Sequence, residues 1–292
     1  MSAVSELLRV GPDVDLAAID PSGTPGLPTS KVARKDPKGW TRSELATLGT
    51  ELAREQEMLY ATVKASEGKD KRRVLLVLQA MDCGGKDGTV KKVAGAMNPQ
   101  GLRIVAFGPP TALERRHDFL WRIRRALPLP GYVGVFNRSH YEDVLVVRVR
   151  KLAPKRVWQP RYAEINQFER DLVAEGVKLV KVMLHISVEE QRARLLARLD
   201  DPTKHWKYNP EDVDNRAFWP DYQAAYQDAL ARCTTDHAPW YVVPADRKWY
   251  RDWAVAHLLL NAFRSLDLNY PPGNFDPDYE RRRLLNEGES KK

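Results

Sequence analysis

VLLVLQAMDCGGKDGTVKKV, Val74 to Val93, is the stretch on which the fold turns. A short apolar run enters a glycine-bearing turn and leaves through a segment of helical character, the strand–turn–helix order of a phosphate loop. The usual pattern is G-x-x-x-x-G-K-[ST]. Here Ala80 holds the first glycine position, Asp87 follows Lys86 in place of Ser or Thr, and an acid, Asp82, sits inside the turn. Backbone N–H groups across Gly84, Gly85, Asp87, Gly88 and Thr89, with the Lys86 ammonium, would make an anion site. Asp87 cannot supply the hydroxyl that holds Mg²⁺ in phosphate-loop hydrolases, although Thr89 lies close by. Asp82 either orients a metal and an attacking phosphate or caps the turn.

Four more apolar runs accompany RVLLVLQ at 73–79: LRIVAFG (102–108), GYVGVFN (131–137), VKLVKVMLHIS (177–187) and WYVVPA (240–245). They are near-continuous, as strands are when both faces of a parallel sheet are covered. Helical patterns separate them, which implies right-handed crossovers and a three-layer α/β fold with a doubly wound parallel sheet. TRSELATLGTELAREQEMLYATVKA, from Thr41, has helical periodicity, with Thr41 and Glu44 spaced as a capping box. Residues 1–40 carry scattered prolines and glycines and predict an extended arm. DDPTKHWKYNPEDVDNR, at 200–216, is polar and broken by prolines, the composition of a lid spanning about 198–216. The expected organisation is an extension at 1–40, one domain at 41–270 and a tail at 271–292.

With 292 residues and 43% hydrophobic content the chain can bury a sizeable core. No run approaches ~18 apolar residues, so no transmembrane helix is expected. The N-terminal stretch lacks the basic and apolar regions of a secretory signal. Cys83 and Cys233 give neither a disulfide framework nor metal spacing, and a reducing cytoplasm is the expected location. Lys and Arg number 47 against 39 Asp and Glu, a net charge of +8 that favours polyanionic partners.

FNRSHYEDVLVVRVR follows the third strand, at the carboxyl edge where open α/β sheets place ligands. Asn137 stands where many phosphate-loop enzymes have a metal-binding acid, Arg138 comes straight off the strand, and Glu142 lies in the next turn. His140 reads as a hydrogen-bonding turn residue in preference to an acid–base group. ERRHDFLWRIRRAL places Arg115, Arg116, Arg122, Arg124 and Arg125 on one expected helix, either a solvated face or a groove wall. The lid adds Arg198, Lys204 and Lys207 around Trp206. With Lys86, Lys91, Lys92, Arg138 and Arg148 they would form a positive groove suited to a long polyphosphate.

QAMDCGGKDGT, NPQGLRIVAF, FNRSHYEDVLVVRV, RLDDPTKHWKYNPEDVDNRAFW and HAPWYVVPADRKWYRD, in that order from about residue 40 to 270, together resemble the family-2 polyphosphate kinases. In that family the aspartate before Gly-Lys and the missing Ser/Thr are the norm, so the loop is intact for its own chemistry. The resemblance implies a thymidylate-kinase-like phosphate-loop core with a helical lid. It implies reversible, Mg²⁺-dependent transfer (Mn²⁺ being an alternative ion) of the terminal phosphoryl group of inorganic polyphosphate to a nucleotide. GKDGT and FNRSHYED look most like the branch that accepts both AMP and ADP; guanine nucleotides stay open as acceptors.

Carried over by position, Asp82 would assist the metal and the acceptor phosphate, and Lys86 and Arg138 would clamp the transferred phosphoryl. Arg198, Lys204 and Lys207 would close from the lid, and Lys91, Lys92, Arg122, Arg125 and Arg148 would join Lys204 and Lys207 along the chain. Asn137 departs from members with a second metal-associated aspartate there, which bears on metal geometry. The family also implies a homo-oligomer, dimer or tetramer. Two other readings stay open: an ATP-dependent nucleoside monophosphate kinase on the same fold, and a non-catalytic polyanion binder. No nucleic-acid module or membrane partner is expected.

Overall fold

The computed structural model describes residues 3–286. Its strands are β1 (Arg73–Ala80), β2 (Leu102–Ala106), β3 (Val133–Asn137), β4 (Val177–His185) and β5 (Trp240–Pro244). All pairings are parallel, in the order β2–β3–β1–β4–β5. The five expected strands are all present, three of them ending short of the apolar run. From Val74 onward β1 is entirely buried. Its side chains alternate between faces: Val74, Leu76 and Leu78 pack into one core and Leu75 and Val77 into another. β2 lies at the sheet edge, and its Ile104 is exposed.

The helices follow in chain order. α1 (Ala3–Leu8), α2 (Lys31–Lys35) and α3 (Pro37–Ala65) precede β1. α4 (Lys86–Lys92) follows it, α5 (Trp121–Ala126) precedes β3, and the single turns α6 (Val146–Val149) and α7 (Lys155–Trp158) lead to α8 (Arg161–Ala174). Beyond β4 come α9 (Val188–Leu199), α10 (Glu211–Arg216) and α11 (Trp219–Cys233); after β5 come α12 (Lys248–Arg264) and α13 (Pro277–Asn286). α3 and α12 cover one face of the sheet through Leu52, Leu59, Leu259 and Phe263. α8 and α11 cover the other through Ile165, Phe168, Ala225 and Leu230. This sandwich is the three-layer architecture the strands imply. Among the described residues no helix is long and apolar enough to cross a membrane.

Three local expectations are corrected. The N-terminal arm is packed: Val4 and Leu8 enter the core, Leu16 packs on the opposite face, and Arg9 bridges Tyr241. Val4 and Leu8, four apart on the six-residue α1, give one turn of helical spacing before the chain crosses to Leu16, too short a stretch to read as periodic. The long helix begins at Pro37, four residues early, because Asp36 accepts from the Gly39 N–H and proline suits the first helical position. Thr41 is then interior, donating to the Pro37 carbonyl at 2.8 Å, and no Thr41–Glu44 capping box forms. The arginine-rich stretch is also not one helix: a 3₁₀ turn at Glu114–Arg116 is separated from α5. The 200–216 stretch forms a 3₁₀ helix, Pro202–Lys207, and α10.

Candidate active site

The turn between β1 and α4 bends through two left-handed residues, Cys83 at φ 62° and Gly85 at φ 104°. Only glycine adopts the second without strain. It also makes room, since a Cβ there would overlap the Arg251 guanidinium, and one at Gly88 would come 2.9 Å from Arg251 Nη2. Arg251 is buried beneath the loop and bonded to Asp252 at 2.7 Å. Lys86 heads α4 and is buried, its Nζ donating to the Ala80 carbonyl at 2.9 Å. Burial, then the neighbouring Arg138, pushes its pKa below the ordinary lysine value, against the pull of Asp82, Glu142 and Asp87.

Arg138 leaves β3 with φ 65°, another left-handed residue, its N–H donating to the Leu78 carbonyl at 3.0 Å. The parallel pairing of β1 with β3 thus sets the two carboxyl ends side by side, and Arg138 Nη2 reaches Asp82 Oδ1 at 3.1 Å. Asn215, from α10, donates to the other oxygen of Asp82 at 3.4 Å. Asn137 donates to Asp87 at 2.7 Å. In the lid, Arg198 donates to Asp212 at 3.3 Å and to the Lys207 carbonyl at 3.1 Å. Burial, then Asp82, raises the pKa of Asp212.

These groups surround a cleft of ≈ 700 Å³ whose lining holds eight lysines and arginines against three aspartates. Lys86 and Arg138 lie on the loop side; Arg198, Lys204, Lys207 and Lys248 lie on the lid and α12 side. A second cavity of ≈ 520 Å³ shares Phe107 and Arg138 with the first. Its exposed surface is mainly apolar, from Pro109, Phe119 and Val147 among others, but it also carries four arginines, Arg115, Arg122, Arg138 and Arg161, and four acids, Glu114, Asp118, Glu142 and Asp143. Asp143 is paired to Arg161 at 3.0 Å.

Of the residues singled out in the sequence, Asp82, Gly85, Lys86, Asp87, Gly88, Asn137, Arg138, Arg198, Lys204 and Lys207 line the first cleft. Glu142 and Arg122 line the second cavity instead, Arg122 donating to the Gly108 carbonyl at 2.8 Å with Phe107 beneath it. Gly84, Thr89, Lys91 and Lys92 line neither, and Thr89 turns to Asp252 at 3.4 Å. Arg125 sits 5.0 Å from the Trp121 ring. Arg148 is ion-paired to Asp228 at 2.5 Å, away from the cleft. Charge density in the sequence does not specify which face a side chain takes. His140 is buried against Glu169 at 3.1 Å, the hydrogen-bonding role expected of it.

Three basic residues of the cleft, Arg194, Lys248 and Arg251, were not singled out in the sequence, and nor was the acid Asp212. Lys248 and Arg251 were legible in principle, standing three apart in the first turn of a helix that follows the carboxyl end of β5.

A model of the family described as Polyphosphate kinase 2 matches residues 42–270. The chain belongs to that family. The fold superposes on the crystal structure of Polyphosphate Kinase 2 from Arthrobacter aurescens TC1 with a TM-score of 0.91 at 47% identity, covering 98% of this chain and 97% of the other. An AMP/ADP-polyphosphate phosphotransferase from Meiothermus ruber is 46% identical over 265 residues, 90% of this chain and 94% of that protein. An ADP-polyphosphate phosphotransferase from Rhodopseudomonas palustris is 42% identical over 228 residues, 74% of this chain and 76% of that protein. The family match begins just after the packed N-terminal segment and includes every residue that lines the cleft.

Proposed function

We propose that this chain is a nucleotide phosphotransferase that moves the terminal phosphoryl group of inorganic polyphosphate to AMP and to ADP, reversibly. The observation that carries the reading is the pair of cavities meeting at Arg138, one rich in cations and one with a mainly apolar surface. The cationic cleft suits the donor chain, running from Lys86 past Arg198 towards Lys204, Lys207 and Lys248. The second cavity suits the acceptor's nucleoside, its phosphate directed at Arg138. Phosphoryl transfer requires positioning and neutralisation of charge on the equatorial oxygens. Lys86 and Arg138 supply that charge from two strand ends, and Asp82 lies between them to orient the acceptor oxygen. The names of the two relatives support both AMP and ADP as acceptors.

Among the described residues no three His, Cys, Asp or Glu side chains form a metal cluster. Asp82 offers one carboxylate, with Asn137 in place of a second acid. That donor set fits Mg²⁺, which keeps several waters and binds through one or two carboxylates plus substrate phosphates. Held by Asp82, the ion would offset negative charge between donor and acceptor. The family resemblance supports a homo-oligomeric, cytoplasmic enzyme. A luminometric assay with polyphosphate as sole donor tests the function: ATP should form from ADP, and from AMP by way of ADP. Turnover only with a nucleoside triphosphate donor would identify an ATP-dependent kinase instead, and binding without turnover a polyanion binder.

A further inference from the structure

We infer that Gln191, with Arg216 and Asn215 of α10, is a positioning relay that couples the lid to Asp82; the inference rests on the phosphotransferase reading above. Gln191 lies on α9, 1% exposed. Its Nε2 donates to the Asp82 carbonyl at 3.0 Å, and its Oε1 accepts from Arg216 Nη1 at 2.7 Å. The same guanidinium donates to the Val188 carbonyl at 3.1 Å. One residue earlier, Asn215 donates to the Asp82 carboxylate at 3.4 Å. Two adjacent lid residues therefore grip one loop residue, directly at its carboxylate and through a single buried amide at its backbone.

The amide orientation is forced, because a guanidinium only donates and a carbonyl only accepts. Gln191 is thus suited where a glutamate is not: Glu would keep the Arg216 bond and lose the donor to Asp82. α9 repeats the device one turn on, with Arg194 Nη1 donating to the Cys83 carbonyl at 2.9 Å. Cys83 holds a left-handed conformation, so fixing the carbonyls on either side of that bend fixes the direction of the Asp82 carboxylate. Arg198, a further turn along α9, carries the lid's own bonds. Without Gln191, movement of α10 would reach the loop only through the longer Asn215 bond to the Asp82 carboxylate, and the Asp82 carbonyl would lose its tie to Arg216.

The test is a double-mutant cycle in the full chain, with long-chain polyphosphate as donor and ADP as acceptor. Arg216→Ala, Gln191→Glu and Gln191→Ala should each lower kcat about tenfold, the size of coupling within one hydrogen-bond network. KM for ADP should stay within about twofold, as expected of a group that acts only through the transition state. The double variants should fall no further than the worse single, and Arg216→Lys should recover most of the rate. Unchanged kcat, multiplicative losses in the doubles, or a lowered melting temperature with normal kcat would each overturn the relay. If Gln191→Ala does not fold, Gln191→Glu with Arg216→Ala completes the cycle. A wild-type chain that transfers nothing from polyphosphate would instead remove the phosphotransferase reading and this inference with it, so the two failures are distinct.

Discussion

The turn after β3 separates two charged regions built on opposite principles. Inward from it, Lys181 and Glu169 are both 0% exposed. Lys181 Nζ donates to Glu169 at 2.6 Å, the Cys233 carbonyl at 2.6 Å and the Tyr141 hydroxyl at 2.9 Å, which uses all three of its protons. Glu169 also accepts from Tyr141 at 2.8 Å. Outward from the same turn, Arg138 faces a cleft in which cations outnumber carboxylates eight to three. Burial alone would raise the pKa of Glu169, yet Lys181 and His140 hold it below the ordinary value. In the cleft, burial and Arg138 both push Lys86 down. Charges that balance hold a fold together; charges left in excess await a ligand of opposite sign.

The strongest way to break that contrast is Lys86→Ala. If the cleft is the phosphoryl clamp, transfer should fall by ~10³–10⁵, the range of a protein-supplied charge in phosphoryl transfer. Circular dichroism should show the sheet intact. A loss below tenfold would leave Lys86 a structural residue bonded to Ala80. Lys181→Met tests the other side, since it leaves Glu169 buried without its cation. Denaturant unfolding should show a loss of about 3–5 kcal/mol, the cost of breaking one partner from a buried pair. Stability unchanged, with kcat reduced, would move the network from the fold to the chemistry.

Asp82→Asn comes next, sharpening the contrast within the cleft. It keeps the shape and should lower kcat by ~10²-fold, the low end of what a positioned acid–base group contributes. The Mg²⁺ concentration for half-maximal rate should rise. Adding Asp87→Thr should not rescue it, because a hydroxyl at 87 does not restore the lost charge at 82 and also removes the carboxylate that accepts from Asn137 at 2.7 Å. Wild-type rate and metal dependence in Asp82→Asn would leave the carboxylate as a turn cap.

How much of this was legible follows from range. Strands covered on both faces leave continuous apolar runs, so β1, β3, β4 and β5 and the loop after β1 could be read directly. The cationic lid residues were legible because a polar, proline-broken stretch has few other uses beside a sheet's carboxyl edge. The packed arm was not: Val4 and Leu8 make one turn of helical spacing into one core before the chain crosses to the other face at Leu16, too short a stretch to stand out as a period. Arg148 and Arg251 show the same limit from two sides. Arg148 looks available until α11 brings Asp228 to it, and Arg251 looks ordinary until Gly85 and Gly88 make space for it. Gln191 carries no local signal at all, its meaning lying in partners on the loop and on α10.

The smallest expected effect is a displacement of pH profiles. Burial and Arg138 hold the folded-state pKa of Lys86 below that of an unfolded lysine. In the free enzyme, kcat/KM for polyphosphate should therefore fall as pH rises through that lowered value. Bound phosphate favours the ammonium form, so the kcat profile should fall at a higher pH than the kcat/KM profile. Stability runs the other way. Between the folded and unfolded pKa values the unfolded chain binds the extra proton, so folding stability gains with pH in that window. The enzyme should thus lose activity at alkaline pH before it loses structure, and Lys86→Met should abolish the stability gain. Coincident kcat and kcat/KM profiles, or a melting temperature falling in step with rate, would show that Lys86 is not the group that titrates.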